Sequence, residues 1–139
     1  MLFRSSLSAL GVTFSYGPSG APDAVFGKTV ALPGGNFASL KFLATGVNGN
    51  QVNQSFIVTY TDGTTRTFTQ SLSDWFTPQN YAGETAASKM AYRIIAGGGK
   101  DSRTFSLYAY SFSLNNTKTV KSITLPNNRN VVLLAITLQ

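Results

Sequence analysis

An all-β fold, an antiparallel β-sandwich or jelly roll, is predicted by three features of this sequence. Apolar residues alternate with period two over much of the chain, Gly, Asn and Pro punctuate it at regular spacing, and no stretch sustains a helical period. At 139 residues the chain can bury a sizeable core, and no linker or internal repeat divides residues 1–139, so one domain is expected.

The elements follow in order. Val12 to Tyr16 and Lys28 to Leu32 are short strand candidates separated by the turn-rich Gly17-Pro18-Ser19-Gly20, and Ser39 to Val47 reads as a longer strand ended by Asn48-Gly49-Asn50. Gln54 to Tyr60 places Phe56, Val58 and Tyr60 on one face. Asp62-Gly63 then turns the chain, and Thr65 to Leu72 returns as the second arm of a hairpin. Arg103 to Leu114 is apolar on both faces around Leu107 to Tyr110, as in a central strand or one bent by a bulge. Lys118 to Leu125 follows, and Val131 to Leu138 is a nearly continuous apolar run, which predicts a strand in the middle of a sandwich. Residues 73–102 break the pattern, with only Ala86 to Arg93 able to form a strand or short helical turn. Long irregular insertions on a rigid β scaffold are where function concentrates, so this segment is the expected location of a site.

Composition excludes several chemistries. Without Cys there are no disulfides, thiolate metal sites or cysteine nucleophile, and without His the commonest general base and metal ligand is missing. The net charge of +6 reflects a shortage of acids (Asp23, Asp62, Asp74, Glu84, Asp101) more than a surplus of bases. The Lys and Arg residues are strung out along the chain instead of clustered, which argues against a nucleic-acid partner. No apolar run is long enough to span a bilayer, so no membrane partner is expected. Low charge with abundant Thr, Ser, Asn and aromatics suits a secreted, extracellular protein whose export signal lies outside this chain.

The motifs are weak. Gly97-Gly98-Gly99-Lys100 has Asp101 where a phosphate-binding loop needs Ser or Thr, so a flexible turn explains it better. Asp74 and Glu84 are the two carboxylates available for a glycosidase pair, but Asp74 could equally cap a turn, and no activated nucleophile accompanies them. No enzyme activity is expected. No cofactor is expected either: calcium suits such sandwiches, yet five scattered acids provide no ligand spacing.

Aromatic residues carry more weight. Sugars stack their C–H faces on Trp and Tyr and take hydrogen bonds from Asn, Asp and Arg, so Trp75, Tyr81 and Tyr92 as platforms with Asp74, Asn80 and Arg93 as polar partners have the inventory of a saccharide site. The alternative is that Trp75 and Phe76 plug one end of the sandwich.

The hairpin from Thr59 through Asp62-Gly63 to Ser73-Asp74-Trp75, the Tyr92-Arg93 step and the Leu125-Pro126-Asn127-Asn128-Arg129-Asn130-Val131 turn carry a resemblance. From about Gly11 to Leu138 the chain resembles the β-sandwich accessory modules, carbohydrate-binding and galactose-binding-like, that are attached to secreted bacterial glycoside hydrolases and other hydrolases. The resemblance implies a non-catalytic module that binds a polysaccharide or oligosaccharide. Its alternative is a structural or docking module of a parent hydrolase, with no ligand of its own. Those modules carry further strands before the position of Leu10, where this chain has only Met1 to Ala9. An apolar face at Leu134 and Ile136 is therefore expected to need cover. A second copy of the chain is favoured, because Leu2, Phe3, Leu7 and Leu10 offer unusual apolar surface for a tail; a parent-protein segment or Met1 to Leu10 folding back are the alternatives.

Overall fold

The computed structural model describes residues 6–18 and 20–139, and among these residues all regular structure is β. In chain order the strands are β1 (Ser6–Ala9), β2 (Val12–Ser15), β3 (Thr29–Ala31), β4 (Ser39–Gly46), β5 (Gln51–Tyr60) and β6 (Thr65–Leu72). They continue as β7 (Thr85–Met90), β8 (Arg93–Ile94), β9 (Lys100–Asp101), β10 (Phe105–Ser113), β11 (Val120–Thr124) and β12 (Val131–Leu138). Two four-stranded antiparallel sheets, β12-β4-β10-β7 and β3-β11-β5-β6, face each other, and β1-β2 and β8-β9 form two small hairpins. The expected β-sandwich is thus present.

Period-two alternation builds the core between the sheets. Leu40, Phe42 and Ala44 of β4 face Phe56, Val58 and Tyr60 of β5, with Tyr110 and Phe112 of β10 beside them. Phe42 lies 5.1 Å from Tyr110 and 5.0 Å from Phe112 in the same sheet and 5.2 Å from Phe56 in the other, distances at which aromatic pairs add to simple burial. The β5-β6 turn forms as its sequence implies. Gly63 takes a positive φ of 83°, and Asp62 Oδ1 accepts the Thr64 amide at 2.9 Å.

β10 is central and bulged at Leu107/Tyr108, as its two apolar faces implied. β12 differs from expectation, because it is an edge strand and not a middle one. A register shift between Leu133 and Ala135 sends Leu133, Ile136 and Leu138 toward the main core and Leu134 and Ala135 to the outer face. The outer residues are apolar because the β1-β2 hairpin covers them. Leu7 and Phe14 bury themselves with Leu43, Ala109 and Ala135, while Thr137 Oγ1 donates to Thr13 O at 2.8 Å and Lys41 Nζ to Leu10 O at 3.0 Å.

The face expected to be bare at Leu134 is therefore covered by the chain folding back on itself, and Ile136 points inward. Covering Leu134 does not require a second copy of the chain. Leu2, Phe3 and Ser19 of the expectations above lie outside the described residues.

Candidate functional site

The irregular segment begins with a clip. On leaving β6, Ser73 and Trp75 hydrogen-bond Gly46, with Gly46 N to Ser73 O at 2.8 Å and Trp75 N to Gly46 O at 2.9 Å. A Cβ at position 46 would meet Ser73 O at 3.0 Å and Gly49 O at 3.2 Å, tighter than most real Cβ contacts, so the close approach favours glycine there. Asp74, 7% exposed, accepts Gly49 N on Oδ2 and Phe76 N on Oδ1, both at 2.8 Å. Its carboxylate caps the turn into Trp75-Phe76 and ties it to the β4-β5 loop.

Glu84 makes the second fastening. Ser73 Oγ donates to Glu84 Oε1 at 2.6 Å, and Oε2 accepts both Ser73 N at 2.8 Å and Tyr110 OH at 2.6 Å. Burial, and then the bond to Glu84, push the Tyr110 phenol far above its ordinary pKa; burial and the nearby Glu84 charge raise that of Tyr108. Both phenols stay protonated, and Tyr108 OH donates to Asp74 O at 3.1 Å. All four carboxylate oxygens of Asp74 and Glu84 are thus engaged by donors of the chain itself.

Beyond this clip the chain builds an aromatic floor. The Trp75 ring centroid lies 4.7 Å from that of Phe105, and the Phe76 centroid lies 5.8 Å from it. The β8-β9 hairpin sits on this floor, turned by Gly97 and Gly98, whose φ angles of 91° and 84° suit glycine. The triple glycine is therefore an exposed turn. Arg93 pairs with Asp101 and Ile94 with Lys100, so alternation sends the first pair to one side of the hairpin and the second to the other.

The polar side faces the rings. Arg93 Cζ lies 5.1 Å from the ring centres of both Trp75 and Phe105, and Arg103 Cζ lies 4.3 Å from that of Phe76. Asp101 clamps the two guanidiniums, accepting Arg93 Nε on Oδ2 at 3.1 Å and Arg103 Nε on Oδ1 at 2.8 Å. The bonds from Arg103, then those from Arg93, hold its carboxyl well below the usual carboxylate range. The apolar side faces solvent. Ile94 is 60% and Tyr92 38% exposed, and Lys100 Nζ lies 4.4 Å above the Tyr92 ring.

Of the residues predicted to form a site, the structure brings together Trp75 and Arg93, with Asp74 buried in the turn before them as a cap, and turns Tyr92 to the other side of the hairpin, against Lys100. Asn80 is exposed at a positive φ of 57°, and Tyr81 accepts Glu84 N on its carbonyl at 3.0 Å in the turn into β7. Among the described residues no hydrogen bond or ring contact joins Asn80 or Tyr81 to the Arg93 cluster. Sequence reading missed Phe76, Ile94, Asp101, Arg103 and Phe105 as members of this surface. The signal was available in Tyr92-Arg93-Ile94 and Lys100-Asp101 flanking the glycines, a hairpin with opposite faces of opposite character. Among the described residues no three carboxylates gather into a possible metal site.

No curated protein matches the chain. A family model does match, over residues 2–139, and it is that of the AziU2-like beta-sandwich domain.

Proposed function

The chain belongs to that family of β-sandwich domains, and from this premise we propose that it is a non-catalytic docking module, which binds a partner protein through the β8-β9 hairpin and the rings beneath it. One observation carries the reading. Among the described residues six large apolar side chains are exposed, and four of them, Phe76, Tyr92, Ile94 and Ile95, belong to this hairpin and its floor. Clustered exposed apolar residues edged by Arg and aromatic side chains are the composition of interface anchors. The clamp holds the hairpin in place without a partner, so little ordering entropy opposes binding.

Saccharide binding is the second reading, favoured by the exposed Tyr92 ring and its Lys100 neighbour. The two separate experimentally. A photo-crosslinking phenylalanine analogue is placed at Ile94 and, as control, at exposed Val52, in cells that naturally express the protein. Docking predicts a discrete adduct at Ile94 alone, whose purified partner binds the chain and loses affinity on Ile94→Asp. Equal adducts at both positions, or none, overturn it. A glycan array with hits that vanish on Tyr92→Ala but survive Ile94→Asp would establish the saccharide reading in its place.

A further inference from the structure

The loop that joins β4 to β5 carries a reactive pair, apart from the β8-β9 hairpin. Asn48-Gly49 is the one place in the sequence where glycine follows asparagine, and both residues are exposed. In such a pair the glycine nitrogen can attack the asparagine side chain, because no Cβ obstructs the approach. The Gly49 nitrogen gives up its proton and bonds to Asn48 Cγ, the Cγ–Nδ2 bond breaks, and Nδ2 leaves as ammonia with that proton. Water then opens the succinimide at either carbonyl, leaving aspartate or isoaspartate at position 48. Nothing is oxidised or reduced, and water is the only co-reactant.

The fold occupies the groups that this reaction needs. Gly49 N donates to Asp74 Oδ2 at 2.8 Å, and withdrawing its proton would set a second negative charge beside a carboxylate that solvent screens little. Asn48 Nδ2, the leaving group, donates to Asn130 Oδ1 at 3.1 Å, in the turn before β12. Two further bonds fix the loop around them. Gln51 Nε2 donates to Gly49 O at 2.7 Å, and Asp74 N donates to Asn50 Oδ1 at 2.8 Å.

We infer that Asn48 is a conditional modification site, which stays an amide while Asp74 holds the Gly49 nitrogen and deamidates when that bond opens. The product acts back on the clip. A carboxylate at position 48 has no proton to give Asn130 Oδ1 and repels Asp74, and isoaspartate adds a methylene to the backbone before Gly49. Either change draws the Gly49 amide away from Asp74, whose other oxygen caps the Phe76 amide. Conversion of Asn48 therefore loosens the turn into Trp75-Phe76. The site stands whether or not the β8-β9 hairpin docks a protein.

The full chain is aged at mildly alkaline pH, folded and in guanidinium chloride, and deamidation is followed at each asparagine by mass spectrometry of its peptides. Local opening sets the rate in a folded protein, so Asn48 should react about ten-fold or more slowly in the folded parent than in the unfolded chain. Asp74→Asn keeps the shape and removes the charge, and the folded variant should react several-fold faster than the parent. Asn130→Ala frees the Asn48 carboxamide, keeps the backbone bonds of residue 130, and should also react faster. In the aged parent, amide exchange should accelerate at Gly49 and Phe76 and stay unchanged in β10. Equal rates in the folded and unfolded parent overturn the inference, and so does a folded Asp74→Asn that reacts no faster than the parent. A parent that reacts faster folded than unfolded would make Asp74 the base that takes the proton, and overturns it too. If Asp74→Asn fails to fold, an Asn130→Ala rate equal to the parent's overturns it. Unchanged exchange at Gly49 and Phe76 after conversion would overturn the effect on the clip.

Discussion

Two hairpins of this chain are built alike and turned opposite ways. β1-β2 lays its apolar side, Leu7 and Phe14, on a sheet face of Leu43, Ala109 and Ala135, and leaves Ser6, Ser8, Thr13 and Ser15 to water. β8-β9 lays its charged side, Arg93 and Asp101 with Arg103, on Trp75, Phe76 and Phe105, and leaves Tyr92 and Ile94 to water. Pairing and alternation are the same in both. What lies beneath decides the orientation: small aliphatic side chains gain from apolar cover, whereas ring faces also attract guanidinium groups. The first hairpin completes the fold. The second spends its apolar residues on the surface, and that difference carries the functional proposal.

If burial drives the first hairpin, truncating its anchor should be the most damaging change. Phe14→Ala is expected to cost about 3 to 5 kcal/mol of stability, measured by denaturant unfolding. A loss below about 1 kcal/mol would mean that the hairpin contributes little to the fold.

The clip under the second hairpin comes next. Glu84→Ala leaves the buried Tyr110 hydroxyl and the Ser73 amide without their acceptor, at a cost of about 1 to 3 kcal/mol. Amide exchange should accelerate at Ser73 and Gln79 more than in β1-β2, and uniform acceleration would show that the two regions are not separable.

The ionic clamp has a smaller, pH-dependent signature. Asp101 has a depressed pKa in the folded chain, so its contribution is complete above about pH 4, the ordinary carboxylate value, and fades as pH falls toward the folded one. The difference in melting temperature between the parent and Asp101→Asn should shrink below that pH. A difference that stays constant through acidification would remove Asp101 from the clamp.

The smallest effect on folding is expected from Ile94→Asp. An exposed position outside the core should change stability by no more than about 0.5 kcal/mol. A larger loss would show that Ile94 packs like Phe14, and the contrast between the hairpins would disappear.

Much of the sandwich was legible in the residues. The Asp62-Gly63 hairpin, the bulged β10 and the alternating faces of β4 and β5 are local patterns, and local patterns survive folding. β1 was not legible. Its turn is Leu10-Gly11, both residues at positive φ, and Leu is a poor signal for that conformation. Packing against the Leu7 and Phe14 cluster and a bond from Lys41 hold Leu10 there. In the candidate site, Trp75, Tyr92 and Arg93 were picked by residue type, whereas Arg103 and Phe105 were missed because their roles depend on which rings lie under which guanidinium.

By itself, then, the sequence determined the β class, the main hairpin, the composition of the core and the absence of cysteine and histidine chemistry, because each depends on residue identity or on spacing of a few residues. Tertiary structure alone decided that β12 is an edge covered on its outer face, that Asp74 and Glu84 are committed to internal donors, and that β8-β9 presents its apolar side to water. Each of those depends on a surface supplied by residues distant in the chain, and no local pattern encodes what a strand will find beneath it.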